Sequence, residues 1–199
     1  MQLAYTLTGA AVLALSAALL PAPAHALTYT AVLNGASEAP PTASPGIGAA
    51  IVTFDVGAMT MRLQTTFVGL LGDVTAAHIH CCTAVAGAGT VGVATQTPTF
   101  IGFPFGVPFG SYDHSFDMSA ASSYRAGFIT SNGGTAGSAF SALLAGAAAG
   151  QSYLNIHTTA VPSGEIRGFL APIPEPSSYA LMLAGLAALG WVSRRKVQA

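Results

Sequence analysis

Ser152-Tyr153-Leu154-Asn155-Ile156-His157-Thr158 and Glu165-Ile166-Arg167-Gly168-Phe169-Leu170 flank a Pro162-Ser163-Gly164 turn. Both segments alternate with a period of two, as a half-buried strand does. In the first, Leu154 and Ile156 share one face while Tyr153, Asn155 and His157 share the other. In the second, Ile166 is expected to point inward, with Glu165 and Arg167 outward. Pairing Thr158 with Gly164 across the turn sets Asn155 opposite Arg167 and His157 opposite Glu165. Cβ atoms of such partners lie about 5 Å apart. A tight antiparallel pair of this kind predicts an all-β domain.

The same period recurs upstream. Thr28–Leu33 alternates and stops at Asn34-Gly35, and residues 47–55 and 59–70 read as strands joined near Gly57. A loop is expected from Glu38-Ala39-Pro40-Pro41 to Pro45-Gly46, because proline cannot donate to a ladder. Further strands are expected at 73–80 and 112–118, and loops at 86–89 and 98–108 with one strand between them. Residues 119–134 look irregular, and the Ala- and Leu-rich stretch 135–149 predicts one short helix packed across a sheet end. Short strands with turn signals at this spacing predict an antiparallel β-sandwich, immunoglobulin-like or superoxide-dismutase-like. No internal repeat is visible.

The two ends differ in character from this body. Leu7–Leu20 is apolar, Pro21-Ala22-Pro23 breaks it, and Ala24-His25-Ala26 is a small-x-small cleavage pattern. Residues 1–26 are therefore expected to be a signal peptide handled by the Sec machinery and signal peptidase, although the region before the apolar run lacks Lys and Arg. At the other end stand Pro174-Glu175-Pro176, an apolar run from Tyr179 to Val192, and Arg194-Arg195-Lys196. Fourteen helical residues reach about 21 Å against a hydrocarbon core of about 30 Å, which suits a short temporary anchor. The basic end is expected to stay cytoplasmic. Residues 174–199 resemble the PEP-CTERM sorting signal of bacteria rich in exopolysaccharide. That resemblance implies transient anchoring in the inner membrane, processing by an exosortase, and release to the cell surface or the exterior.

Between these ends, residues 27–173 suffice for one domain with a core. Their charged side chains are Glu38, Asp55, Asp73, Asp113, Asp117 and Glu165 against Arg62, Arg125 and Arg167, with no lysine. Nothing there neutralises a run of phosphates, so nucleic acid is excluded as a partner class. The surface must be covered by small polar residues, which suits a carbohydrate-rich exterior.

In so uncharged a body, one concentration of polar groups stands out. His78 and His80 in His78-Ile79-His80 fall on one strand face roughly 7 Å apart. With Asn155, His157, Glu165 and Arg167 they form a candidate ligand cluster. One reading is a metal site with His78, His80 and His157 as nitrogen ligands and Glu165 as an oxygen ligand or orienting partner, for copper or zinc. The other is a polar network that ties strand ends together through Glu165–Arg167 and His–Asn hydrogen bonds. His114 reads as a surface residue. Cys81-Cys82 leaves three readings open: a vicinal disulfide, one buried and one exposed thiol, or a thiolate beside the histidines as a soft ligand. No catalytic template is present. There is no Gly-x-Ser-x-Gly, no phosphate loop, and Asp113 and Asp117 at i, i+4 on a strand make an ordinary solvated face. A non-enzymatic role is expected.

Four motifs in order carry a second resemblance: Ala31–Pro41, Ala76-Ala77-His78-Ile79-His80, Tyr153–Thr158 and Gly164–Gly168. Together they resemble the CHRD domain, a module named for its copies in chordin and found in many bacterial secreted proteins. The resemblance implies an extracellular β-sandwich and little specific biochemistry. This chain departs from it with a single copy, with Cys81-Cys82 after the His-Ile-His, and with the long Gly/Pro/Phe stretch 97–110. The His-x-His strand is also similar to that of copper–zinc superoxide dismutase, but four histidines in the body are too few for a dinuclear site. The expectation is an exported envelope or exopolysaccharide-matrix protein that contacts polysaccharide or envelope proteins and requires no cofactor. The alternative is an extracytoplasmic mononuclear copper or zinc protein.

Overall fold

Eight strands run β1 (Ala26–Asn34), β2 (Ile47–Asp55), β3 (Thr60–Val68), β4 (Val74–His80), β5 (Gly110–Asp117), β6 (Tyr153–Thr158), β7 (Ile166–Phe169) and β8 (Ala171–Pro172) in the computed structural model. It describes residues 26–173, 182 and 184–187. The expected signal peptide therefore lies outside the described residues except for Ala26, which opens β1. The sorting segment lies outside them except for five helical residues. Among the described residues no helix is long and apolar enough to cross a membrane.

All named pairings are antiparallel, in the order β4-β6-β7-β1-β2-β3-β5, with β8 added alongside β1. The fold class is all-β, as expected. Instead of two sheets separated along the chain there is one continuous hydrogen-bonded path, curled so that its inner face encloses the core. Its narrowest link is the single pair Asn34–Arg167 between β1 and β7. The β6–β7 register is the one the alternation predicts, with Asn155 opposite Arg167 and Ile156 opposite Ile166. On the other edge of β6, His78 pairs with Asn155 and His80 with Tyr153.

Inward residues of successive strands make the core: Leu33, Val52, Phe54, Met61, Leu63, Phe67, Ile79, Leu154, Ile156 and Ile166 are all buried. Full burial of each large side chain contributes about 1.5–3 kcal/mol relative to exposure. Every residue of this core lies between Tyr29 and Leu170. The Ala-rich stretch forms α2 (Ala136–Ala148), as expected, opened by a reciprocal Thr135–Ser138 capping box. It buries Phe140 edge-on against Phe54, with ring centroids 6.1 Å apart. A second helix, α1 (Ala126–Ser131), occupies part of the stretch expected to be irregular. No strand forms between 86 and 108. That segment lies over β4 instead, held by Ile79, Ala77 and Val74 carbonyls, which accept from Ala94, Phe100 and Gly106.

Candidate metal centre

The strand period brings the three expected histidines together from two neighbouring strands. His78 and His80 come from β4 and His157 from β6, with ring centroids 5.1 Å (His78–His157), 5.8 Å (His78–His80) and 6.0 Å (His80–His157) apart. Each ring can offer one nitrogen such that all three atoms lie within 4.8 Å of one another. Nitrogens bound to one tetrahedral ion at about 2.1 Å are about 3.4 Å apart, so only a small closure separates the rings from a common ligand sphere.

Backbone carbonyls fix which nitrogen each ring presents. His78 Nε2 donates to Pro98 O, His80 Nδ1 to Val91 O at 2.8 Å, and His157 Nδ1 to Pro162 O at 3.0 Å. A carbonyl can only accept, so these nitrogens carry the protons and the others are bare lone pairs. Those others, His78 Nδ1, His80 Nε2 and His157 Nε2, are buried and have no hydrogen-bond partner. Leaving a buried acceptor unmet costs about 1–3 kcal/mol, and one ion shared by these three neighbouring rings would satisfy all of them. Donation of the second N–H to a carbonyl is also how metal-ligating histidines are oriented.

The rings are held neutral, as ligands must be. Burial lowers the pKa of His78 and His157, and His80 is pushed down to about 4 by burial, with neighbouring His78, His157 and Arg167 adding to the effect. His78 and His80 are only 7% and 8% exposed. They stand on the face opposite Ile79, as the alternation predicts, and are buried there beneath the segment carrying Val91 and Pro98. The Tyr153 ring stacks on His80 at 4.8 Å and its hydroxyl meets Val91.

The remaining members of the expected cluster take other roles. Glu165 and Arg167 were expected outward, but they are 0% and 3% exposed. Glu165 accepts from Ser44 Oγ and Thr158 Oγ1, and from the Leu71 and Gly72 amides at 2.6 and 3.3 Å. Burial alone raises its pKa, but these donors outweigh burial and hold the carboxyl below its ordinary value. It does not join the three histidines among potential ligands. The reason is local: Glu165 precedes the first ladder residue and follows Gly164, whose φ of 128° breaks the strand alternation. Its side chain therefore goes to Thr158 rather than to His157, and no Glu165–Arg167 pair forms.

Arg167 instead reaches Glu38, 3.8 Å away, donates to Ser37 O and to Gly89 O at 2.9 Å, and lies over the Tyr153 ring at 4.8 Å. Glu38 is the residue that sequence reading missed as part of the site. In the sequence it reads as the start of a proline loop within the first CHRD-like motif. Its carboxyl is pushed up to about 7 by burial, with the opposing pull of Arg167 only partly compensating. Asn155 sits in the ladder between His78 and Arg167, buried, with its Oδ1 unpartnered.

Cys81 and Cys82 are joined in a vicinal disulfide directly after His80. Both sulfurs pack on α2, where a Cβ at position 146 would collide with them, so Gly146 is required. Bonded to each other, they offer no thiolate. Asp113 forms an exposed pair with Arg62, and Asp117 holds Ser119, so neither serves as an acid pair.

Compared with known families, residues 29–170 match the CHRD domain, and all three histidines fall inside that span. The chain belongs to the CHRD family. Residues 172–196 match the PEP-CTERM protein-sorting motif, which takes in Pro174, Glu175, Pro176, Arg194, Arg195 and Lys196. This CHRD protein is thus addressed to exosortase-type machinery, which implies export, a transient stay at the membrane, and a surface or extracellular destination. No curated protein and no solved structure matches it in the corresponding comparisons.

Proposed function

We propose that this chain is an exported metal-binding protein, a binding module rather than an enzyme, that holds one copper or zinc ion through His78, His80 and His157. The observation that carries the reading is the set of three bare, buried imidazole nitrogens, each fixed by a carbonyl on its ring's other nitrogen. A purely structural network would have turned those lone pairs toward donors. Export by Sec and release by exosortase would place the site in an exopolysaccharide-rich layer, where a weakly charged surface suits contact with polysaccharide or envelope proteins.

The test is metal analysis of the exported chain spanning residues 27–173, which carries every core residue, purified without chelator or His-tag. A His78→Ala, His80→Ala double variant is measured beside it. About one ion per chain, absent from the variant, is expected. No ion bound by either protein, even after incubation with copper and zinc salts, would reduce the three rings to a structural network.

A further inference from the structure

Charge accounting separates the ions this site could hold. Its three ligands are neutral, and their orienting partners, Pro98, Val91 and Pro162, are backbone carbonyls with no carboxylate among them. Glu165 is committed to Ser44, Thr158, Leu71 and Gly72, Glu38 faces Arg167, and the two sulfurs are bonded to each other. The charged group that shares a contact with the site is a cation: Arg167 and His80 both lie against the Tyr153 ring. A buried cation here gains no compensating anion, and its desolvation cost grows with the square of its charge. A dication therefore loses about four times as much as a monocation. Zinc also seeks a fourth ligand, and among the described residues no further His, Cys, Asp or Glu joins the three histidines.

Resting on the metal-centre reading above, we infer that the site selects monovalent copper, Cu(I), held by His78, His80 and His157 in three-coordinate geometry, over the dications Zn(II) and Cu(II). Asn155, in the ladder beside His78, is the lever on this preference, because its neutral amide occupies a position where a carboxylate would favour a dication.

The experiment is an anaerobic titration of the metal-free exported chain with Cu(I) against a chromophoric Cu(I) chelator. Parallel competitions use Zn(II) and Cu(II), and X-ray absorption gives the coordination number of the loaded protein. Cu(I) is expected to bind at least about a hundredfold more tightly than either dication. The absorption edge should report a three-nitrogen site. In Asn155→Asp, a nearly isosteric change, the ratio should shift toward Zn(II) by about tenfold or more, since the added charge attracts a dication twice as strongly. Equal or tighter binding of Zn(II) or Cu(II) by the unaltered protein overturns the selectivity while leaving the metal centre standing. Failure to bind any of the three ions removes the centre itself and the inference with it.

Discussion

His80→Gln should remove a specific pH dependence from the stability of the metal-free domain. His80 has an ordinary pKa of 6.5, which burial lowers to about 4 in the fold, with His78, His157 and Arg167 adding to the effect. A lowered folded value means that the unfolded chain binds the extra proton first. The contribution is therefore complete above pH 6.5 and is lost as pH falls through about 4. A displacement of about 2.5 units corresponds to about 3 kcal/mol. At 8% exposure little of this is screened away. Glutamine keeps an N–H for the Val91 carbonyl but cannot titrate. Urea unfolding of both proteins at half-unit steps from pH 4 to 8, with a chelator present, gives the stability difference at each pH. Wild type minus His80→Gln should rise by about 3 kcal/mol from pH 4 to pH 7. A flat difference would refute the claim that burial holds this imidazole neutral, and with it the tautomer argument for a ready nitrogen ligand.

Glu38 should show the opposite slope. Its carboxyl rises from 4.5 to about 7 on folding, so stability is complete below 4.5 and is lost as pH rises through about 7. Relative to the value at pH 4.5, Glu38→Gln should gain about 3 kcal/mol on wild type by pH 8. An unchanging difference in the same urea series would contradict the burial effect. Glu165→Gln should cost about 3 kcal/mol or more at neutral pH, because its amide group would face donors that now meet a carboxylate oxygen. Its metal stoichiometry should equal that of wild type; loss of the ion without loss of the fold would return Glu165 to the ligand set.

The two slopes have a consequence for the intact protein. His80 and Glu38 shift by similar amounts in opposite directions within nearly the same pH window. Between pH 4.5 and 6.5 Glu38 therefore offsets His80, while His78 and His157, lowered in the same direction as His80, leave wild-type stability rising with pH.

What the sequence could supply followed the strand period. Alternation in residues 152–158 and 165–170, with one turn between them, was enough to place Asn155 opposite Arg167, because a slip of one residue would have turned Leu154, Ile156 and Ile166 to the wrong face. The same argument put His78, His80 and His157 on one surface. It could not reach Glu165, which lies one residue before the ladder, beside a glycine at positive φ. Nor could it choose among the states of Cys81 and Cys82, which follow the last residue of β4. α1 was missed because its six residues, Ala126-Gly127-Phe128-Ile129-Thr130-Ser131, are too few to show a helical period.

The decisive features of the centre come from backbone rather than from side-chain identity. Pro98 and Pro162 are prolines whose carbonyls receive imidazole N–H groups, and Val91 does the same from the segment over β4. No residue-type pattern announces a carbonyl, since every residue carries one. Yet these three atoms select the tautomers, and the tautomers leave the lone pairs bare. The covering segment is in turn anchored by Arg167 at Gly89 and by Tyr153 at Val91. Arg167 therefore acts on the histidines twice, by holding the covering segment in place and by helping to keep His80 neutral. Its guanidinium faces Glu38 on the side of the first motif, so the Ala31–Pro41, Tyr153–Thr158 and Gly164–Gly168 segments meet around one arginine. The segment carrying His78 and His80 reaches this arginine through the Tyr153 ring, which stacks on His80 and lies under the guanidinium.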